Sequence, residues 1–379
     1  MRVLQVCPFL TPQLGGIPLG AYHQSKELSR RGHQVTILSS THKLDQSIVD
    51  SSNQNGVRVI ALKEAFHASQ FILTPTIHKW LKNEIIKFDI AHLHGYRSYQ
   101  NVAVHQYAVK RGIPYVIQPH GSVRPVMNRR ILKAAYDWTL GSRLLGDSSR
   151  IIVSTKSEEE DVVGTGINEN KVYVLTNFLD LGEFESLPPR GEFRERLRLE
   201  EDKKVVLYLG RIHRIKGLDL LLRAFSQLSR ESYDAHLVLA GPDERYVGQL
   251  MKLARKLKIN DRLSVCGPQY GRDKLSVYVD SDVYVLPSRY ESFGSTALEA
   301  CLCGTPTIVT SNCGIAEMLN DIGYVVERNQ AALSLALDSV LRKSISRTEI
   351  KRLSRLVVEE RLDIKKATSE LERVYHECI

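Results

Sequence analysis

Two basic residues and two glutamates in the second half of the chain have types and spacing that suit a phosphorylated ligand. Arg211 and Lys216 follow an apolar segment, and Glu291 and Glu299 lie on either side of Gly294. Guanidinium and ammonium groups bind phosphate oxygens through charge-assisted hydrogen bonds. A carboxylate can pair with the two hydroxyls of a ribose. The four residues therefore predict a site for a nucleoside diphosphate.

The segment that holds the glutamates also predicts an anion-binding helix terminus. A helix is predicted to begin near Gly294, directly after the loop that contains Glu291. The first N–H groups of a helix have no partner within it, so those of Gly294, Ser295 and Thr296 would bind an anion. Glu299, in the second turn, would then lie one short side chain from the nucleoside.

These residues belong to a chain in which short apolar runs alternate with amphipathic helices. Continuous apolar runs are typical of strands that are covered on both faces, and their alternation with helices indicates parallel sheets with crossover helices. The predicted strands are 2–7, 34–39, 57–61, 90–94, 115–119, 151–154, 171–175, 205–209, 236–240, 263–266, 283–287, 307–310 and 323–326.

The strands fall into two series, which predict two doubly wound Rossmann-like α/β domains facing a central cleft. A linker rich in charge, proline and glycine, 179–203, separates the series. We expect domains at 1–180 and 181–359. A final helix over about 354–377 lies beyond the last strand, and the terminal residues 360–379 are free to pack back on the first domain.

Composition sets limits on the function. The 379 residues are 43% hydrophobic and 25% charged, which is ordinary for a globular protein, and the net charge of +9 favours anionic partners. No apolar run is long enough to span a bilayer. No nucleic-acid motif with fixed spacing is present, so nucleic acid is not an expected partner. The six cysteines lack paired spacing, which indicates a reducing compartment and a cytoplasmic protein.

The ordered set of motifs resembles the GT4 family of retaining glycosyltransferases, which have the GT-B fold. The resemblance covers nearly the whole chain and is stronger than any single motif. It implies that 181–359 binds a nucleotide-sugar donor and that 1–180 lies on the acceptor side. The matching motifs are Gly210-Arg211, Lys216-Gly217, the E-x7-E pair Glu291 and Glu299, Ser292-Phe293-Gly294, and the loop 311–317.

The resemblance also assigns residues in the first half of the chain. Gly15 and Gly16 follow the first strand and resemble the family's glycine-rich loop, which approaches donor and acceptor. His120 matches the family's histidine near the donor sugar. Asn177 belongs to a segment like the family's Pro-Asn-Gly-x-Asp hinge, although Thr176 and Phe178 replace its proline and glycine.

The family's chemistry gives these residue types their expected roles. The leaving group is a nucleoside diphosphate, whose negative charge Arg211, Lys216 and the helix terminus would stabilise without a metal or cofactor. The leaving phosphate is expected to take the acceptor's proton during front-face attack. Glu291 would hold sugar hydroxyls. His120, Glu291, Arg211 and Lys216 are therefore the candidate catalytic residues, and Phe293 and Glu299 are among the donor-binding ones.

Two motifs have the residue types of metal sites, but we interpret both as structural residues. Asp280-Ser-Asp282 has the DxD pattern of manganese-dependent glycosyltransferases, but Asp282 resembles a polar residue at the start of a strand. His92 and His94 have no third ligand at metal-site spacing. We expect His92 to pack in the sheet and His94 to lie at the edge of the cleft. No metal is expected in the site.

The acceptor is the least determined part of the function. Segment 123–145 combines apolar and basic residues, which favours a helix lying on an anionic membrane surface and hence a lipid-linked or envelope-glycan acceptor, as in polysaccharide biosynthesis. An ordinary crossover helix has the same pattern. A sugar-nucleotide 2-epimerase of the same fold and an inactive nucleotide-sugar-binding protein remain the alternative functions.

Overall fold

The computed structural model describes residues 1–11, 16–68, 71–124, 130–228, 234–343 and 345–379, which form two compact units. The first unit combines Met1–Phe178 with Leu362–Ile379, and the second is Leu179–Arg361. The boundary between the units lies after Phe178, whereas the sequence predicts it after residue 180.

The first unit contains a seven-stranded parallel sheet in the order β3-β2-β1-β6-β7-β8-β9, with β4 and β5 forming a separate antiparallel hairpin. Its main strands are apolar on both faces, because helices cover both sides of the sheet. The strands are β1 (Arg2–Val6), β2 (Gln34–Ser40), β3 (Val57–Leu62), β4 (Phe66–Ala68), β5 (Phe71–Leu73), β6 (Ile90–His94), β7 (Tyr115–Gln118), β8 (Arg150–Val153) and β9 (Val172–Val174).

Two hydrophobic cores lie on opposite faces of this sheet. Leu4 and Leu93 belong to one core, and Val3 and Ile37 belong to the other. A π-helical turn at Asp137–Gly141 joins the fifth and sixth helices. The helices that precede the second unit are α1 (Gly16–Arg30), α2 (Gln46–Gln54), α3 (Ile77–Glu84), α4 (Tyr99–Arg111), α5 (Arg130–Tyr136), α6 (Ser142–Gly146) and α7 (Lys156–Val163).

The second unit contains a six-stranded parallel sheet in the order β12-β11-β10-β13-β14-β15. Its strands are β10 (Lys204–Leu209), β11 (Ala235–Ala240), β12 (Leu263–Gly267), β13 (Val283–Leu286), β14 (Thr307–Thr310) and β15 (Tyr324–Val326). Its helices are α8 (Glu192–Leu197), α9 (Leu218–Phe225), α10 (Val247–Lys256), α11 (Gly271–Asp280), α12 (Ser295–Leu302), α13 (Ala316–Leu319), α14 (Gln330–Arg342) and α15 (Arg347–Arg361).

Each sheet reverses its strand order beside its first strand, between β1 and β6 in the first unit and between β10 and β13 in the second. In doubly wound sheets, ligands bind outside the carboxyl ends of the strands at such a switch point. The loops that follow β10 and β13 contain the predicted phosphate-binding and glutamate motifs.

The prediction of one continuous final helix over 354–377 is wrong. The chain leaves α15 after Arg361, and Leu362 is fully buried. The Asp363 side chain then accepts a hydrogen bond from Lys366 N at 2.8 Å, which caps a new helix, α16 (Ile364–Cys378). Tyr375 of α16 lies in the same core of the first unit as Val3. A buried leucine followed by a capping aspartate therefore ends one helix and starts another.

Candidate active site

The loop after β10 is packed closely against the loop after β13. Gly217 has a φ of +67°, and a Cβ at this position would lie 2.1 Å from the carbonyl oxygen of Pro287, so the close approach requires glycine. Arg289 N donates a hydrogen bond to Ile215 O at 2.8 Å. The two motifs that were predicted separately thus belong to one arrangement at the switch point.

Lys216 and Glu291 meet directly in this arrangement. The Lys216 ammonium group donates a hydrogen bond to the Glu291 carboxylate, and the side chains are only 13% and 15% exposed. The loop after β14 holds Glu291 in place, because Gly314 N donates to Glu291 O at 2.9 Å. The basic and acidic candidates form a largely buried ion pair at the carboxyl ends of β10 and β13.

Arg211 has a different carboxylate partner, Glu244, at 2.8 Å. The Tyr208 hydroxyl donates to Arg211 O at 2.8 Å and fixes the backbone of the loop. Glu244, which follows β11, lies in no motif and could not be predicted as a site residue from the sequence. Both candidate phosphate-binding cations therefore already have a carboxylate partner.

The N-terminus of α12 is formed as predicted. Gly294 is the N-cap residue, with a φ of +100°, and α12 begins at Ser295. The side chain of Thr296 accepts a hydrogen bond from the Tyr284 hydroxyl at 2.7 Å, and Phe293 is buried beneath the turn. The first N–H groups of this helix point away from its own carbonyls, at the end of the helix that favours an anion.

Glu299 lies in the second turn of α12, where it is largely buried beside a lysine. Its carboxylate is 3.2 Å from Lys274 Nζ and accepts a hydrogen bond from the Tyr278 hydroxyl at 3.1 Å. Lys274 Nζ also lies 3.6 Å from Glu183. Burial alone would lower the pKa of Lys274, but the two carboxylates raise it above its usual value. Lys274, Tyr278 and Glu183 could not be predicted as site residues from the sequence, because α11 and the linker contain no motif.

His120 follows β7 in the first unit and has a left-handed backbone conformation, with a φ of +54°. This conformation is uncommon outside glycine and indicates a local constraint. Glu158 provides part of it, because the Glu158 carboxylate accepts hydrogen bonds from Gly121 N and, at 2.9 Å, from Ser154 N. Glu158 follows Thr155 by three residues, a capping-box spacing that was present in the sequence but not used.

A chain of buried polar side chains extends from His120 into the sheet. His120 Nε2 lies 3.1 Å from His94 Nδ1, and His94 Nε2 lies 2.6 Å from Gln5 Oε1. Gln5 Nε2 donates to the Tyr375 hydroxyl at 3.1 Å, which lies 2.7 Å from His92 Nδ1. The prediction that His94 lies at a cleft edge is wrong, because this residue is fully buried. Both ring nitrogens of the buried imidazole have a hydrogen-bond partner.

Burial lowers the pKa of all three histidines of this chain. The pKa of His120 falls to about 4 and that of His92 to about 3, while that of His94 lies well below its usual value. With the Gln5 amide oriented as in the structure, His94 donates through Nε2. A neutral imidazole has one N–H, so His94 Nδ1 accepts from His120 Nε2. His120 is thus neutral, with Nδ1 as its hydrogen-bond acceptor.

The remaining predicted residues have less informative surroundings. Gly15 lies outside the described residues, and Gly16 is the exposed first residue of α1. Asn177 Oδ1 accepts a hydrogen bond from the Ser154 hydroxyl at 2.9 Å, and the Phe178 ring meets that of His23 edge-on at 6.4 Å.

The DxD motif has a structural role. Asp280 accepts hydrogen bonds from Gly191 N and Phe193 N, both at 2.6 Å. Asp282 pairs with Arg194 at 2.8 Å and accepts from Val205 N at 2.8 Å. These carboxylates anchor α8 and the start of β10, so their lone pairs are directed at protein donors.

Two doubly wound units, one with cations, carboxylates and a helix terminus at its switch point, define a glycosyltransferase of the GT-B fold. Residues 189–356 match the family model described as glycosyl transferases group 1, and residues 14–183 match the one described as glycosyltransferase family 4. The chain belongs to this family of glycosyltransferases.

Curated relatives span most of the chain. An uncharacterized glycosyltransferase of Methanocaldococcus jannaschii is 27% identical over 90% of this chain and 89% of its own. The D-inositol 3-phosphate glycosyltransferase of Xylanimonas cellulosilytica is 29% identical over 83% of this chain and 80% of its own. The GPI3 subunit of the phosphatidylinositol N-acetylglucosaminyltransferase of Saccharomyces cerevisiae is 25% identical over 87% of this chain and 73% of its own.

Solved structures show the same fold. Alr3699/HepE of Anabaena, in complex with UDP and glucose, superposes with a TM-score of 0.81 at 18% identity over 99% of both chains. WaaG, a glycosyltransferase involved in lipopolysaccharide biosynthesis, gives a TM-score of 0.74 at 17% identity over 98% of this chain and 99% of its own. Within the described residues, no helix is both long and apolar enough to cross a membrane.

Proposed function

We propose that the protein is a retaining glycosyltransferase that transfers a hexose-type sugar from a nucleoside diphosphate to a glycan or lipid-linked acceptor. The Lys216–Glu291 ion pair at the switch point of the second unit carries this proposal. It places one phosphate-binding cation and one sugar-binding carboxylate side by side, as a nucleotide sugar requires. The UDP and UDP-glucose complexes of HepE support a donor of this class.

The chemistry follows from charge. The bond between the anomeric carbon and the phosphate oxygen breaks, and the bond to the acceptor oxygen forms on the same face of the sugar. The acceptor's proton passes to the leaving phosphate. Arg211, Lys216 and the first N–H groups of α12 stabilise the charge that develops on that phosphate. These groups take the place of a divalent cation, so transfer needs no metal and no cofactor beyond the donor.

Donor binding involves an exchange of partners. In the absence of donor, Glu291 neutralises Lys216. A diphosphate carries more negative charge than one carboxylate and attracts Lys216 more strongly. Glu291 is then released to accept hydrogen bonds from the sugar hydroxyls. Glu299 binds the ribose, with Lys274 and Tyr278 holding its carboxylate in place.

The acceptor side of the proposal depends on an exposed apolar surface in the first unit. Ile131 is 85% exposed and Trp138 is 84% exposed, whereas a crossover helix would bury such residues on the sheet. Among its described residues, the two ends of the segment are buried in the core, through Val123 at one end and Leu144 and Leu145 at the other. The basic Arg143 is exposed in the same segment. This surface fits the inner face of an anionic membrane and a lipid-linked acceptor.

The fold holds this segment firmly. Arg97 pairs with Asp137 at 2.6 Å and donates to Val123 O at 2.9 Å, which ties the start and the middle of the region to the loop after β6. A Cβ at Gly141 would lie 2.0 Å from the Tyr96 hydroxyl. The exposed apolar residues are therefore presented by an anchored helix and π-helical turn. The start of the predicted helix, near Pro125, lies outside the described residues.

A donor panel tests the proposal. Thermal shifts with UDP-, GDP- and ADP-sugars identify the nucleotide, and slow release of free sugar from the stabilising donor then identifies a transferase. Release of a 2-epimerised sugar would instead indicate an epimerase. Stabilisation without any turnover, across lipid-linked and free acceptors, would indicate a binding protein. Retention is measured from the anomeric configuration of the product.

A further inference from the structure

Three side chains at the far edge of the first sheet lie close enough together to bind one cation. His42 follows β2, Glu64 follows β3, and His67 lies in β4. One ligand atom from each lies within 4.8 Å of the others. Two imidazoles and one carboxylate are the ligands that Zn²⁺ takes in sites with an open fourth position. The residues come from three separate elements, so their spacing in the sequence shows no metal motif.

The geometry is close to that of a zinc site. His67 Nδ1 lies 3.5 Å from Glu64 Oε2, near the edge of about 3.4 Å that two ligands share in a tetrahedral zinc site. His42 Nδ1 lies 2.8 Å from the same oxygen, a hydrogen-bond distance that must lengthen on metal binding. The two imidazole rings are 4.3 Å apart. A small rotation of the partly exposed Glu64 and His67 side chains would place three ligands around one ion.

The backbone fixes two of the three ligands. Thr41 N donates to Leu62 O at 2.9 Å, and Glu64 N donates to the Thr41 hydroxyl at 3.2 Å. The loops after β2 and β3 are thereby joined, and the His42 side chain is only 7% exposed. His67 is 52% exposed, and water therefore has access to the open position. Such partial preorganisation lowers the cost of assembling the site.

We propose that His42, Glu64 and His67 bind a zinc ion that fastens the β4–β5 hairpin to the edge of the first sheet. The hairpin is separate from that sheet, and it exposes Phe66. The ion would add a link between His67 of the hairpin and the two loops of the sheet. The ion would lie beyond the ends of β2 and β3, which are three and four strands from β7 and so about 14–19 Å from the end that holds His120, and it would take no part in sugar transfer.

Zinc titration of the tag-free, chelator-treated protein tests the proposal. With a chromophoric competitor and a phosphine reductant, we expect one equivalent of Zn²⁺ to bind and to raise the thermal unfolding midpoint. His67→Ala and Glu64→Gln should each weaken this equivalent at least tenfold and abolish the thermal shift. Both positions are partly exposed, so the variants should fold. His376→Ala, at an exposed histidine of α16, is the matched control and should bind as wild type does.

Competing outcomes are distinguished by the same experiment. Binding that is unchanged in His67→Ala and lost on alkylation of the thiols would assign the zinc to Cys266 or Cys378 and overturn the proposal. If no zinc binds at a 100-fold excess over protein, the three side chains form only a hydrogen-bonded cluster, and the zinc proposal is overturned as well. Reduced proteolysis within 64–73 on adding zinc, in wild type but not in Glu64→Gln, is the expected sign that the hairpin is fastened. The result is independent of the donor panel, because no sugar is involved.

Discussion

The Lys216 ammonium group and the Glu291 carboxylate, 75 residues apart in sequence, form an ion pair with little solvent exposure. Breaking a buried pair by removing one partner leaves the other charge uncompensated. Any change at one of these residues therefore acts on ligand binding partly through the other. The contribution of each residue to ligand binding must therefore be measured in a double-mutant cycle, which compares the two single variants with the double variant.

We expect Lys216→Ala to weaken binding of the selected nucleoside diphosphate by about 10- to 150-fold, the equivalent of losing a charged hydrogen bond of about 1.5–3 kcal/mol. Part of this loss is repulsion from the unpaired Glu291, so Lys216→Ala/Glu291→Gln should recover some affinity. Arg211→Ala should also bind more weakly, whereas Arg214→Ala in the same turn is the control. Calorimetric titration measures all four. Unchanged affinity in both Lys216→Ala and Arg211→Ala would contradict the phosphate assignment.

The two glutamates should have separable effects. Glu299→Gln should weaken binding of the free nucleoside diphosphate, because the ribose loses a charged partner, while Glu291→Gln, which frees Lys216 from its carboxylate partner, should not weaken that binding but should reduce kcat. Both replacements preserve side-chain size. Since Glu299 contacts Lys274, thermal unfolding of each variant is measured alongside to exclude loss of folding. Equal losses of nucleotide affinity in both variants would refute the proposed roles.

Transfer should persist in EDTA. The cations and the helix terminus stabilise the leaving phosphate, and Asp280 and Asp282 are committed to backbone amides and Arg194. Asp282→Asn should accordingly lower stability by about 1–3 kcal/mol without a specific loss of kcat. Chelation is expected to lower the unfolding midpoint through the proposed zinc site, with the rate at 25 °C unchanged. Loss of transfer that manganese alone restores would show that the metal-free mechanism is wrong.

Membrane contact should depend on the exposed apolar side chains. Ile131→Ser/Trp138→Ser removes two side chains that are more than 80% exposed and should abolish sedimentation with anionic liposomes at low salt, with no loss of stability. Leu335→Ser, at a position 71% exposed in the second unit, is the matched control. High salt should weaken wild-type binding, because the basic residues contribute electrostatically. Equal sedimentation of the wild type, the double variant and the control would show that the protein does not bind membranes through this surface.

The neutral histidines predict a loss of stability in acid. Their pKa values in the folded state lie below the usual 6.5, so between about pH 6.5 and 4 the unfolded chain binds protons that the folded chain does not. Stability therefore falls as the pH falls through this range, by about 1.4 kcal/mol per pH unit for each histidine at most.

The unfolding midpoint, followed from pH 7 to 4.5, measures this dependence. His120→Asn should make it less steep, whereas His376→Asn should keep the wild-type dependence. A profile that His120→Asn leaves unchanged would show that His120 is not neutral in the folded state.

Much of the fold could be predicted from local sequence. All thirteen predicted strands are present, with ends that differ by at most one residue, because continuous apolar runs identify strands buried on both faces. The β4–β5 hairpin was missed, since two three-residue strands have no detectable period. The break at Leu362 was missed because the buried leucine continues an apolar helical pattern.

The site residues that could be predicted from the sequence are those that lie in motifs. Arg211, Lys216, Glu291 and the terminus of α12 have fixed spacing around strand ends, and the topology places those ends at one switch point. Their partners could not be predicted in the same way. Glu244 and Lys274 reach the site because elements that are distant in sequence pack together, and neither residue lies in a motif.

The division of the chain has a consequence for the order of folding during synthesis. The second unit is one continuous stretch and can fold as soon as Arg361 has left the ribosome. The first unit, although it begins with Met1, cannot complete its core until α16 follows, because Leu371 and Tyr375 pack in it. Until then part of one face of its sheet is uncovered and Gln5 lacks its hydroxyl partner. The half of the enzyme that is made first is therefore the half that matures last.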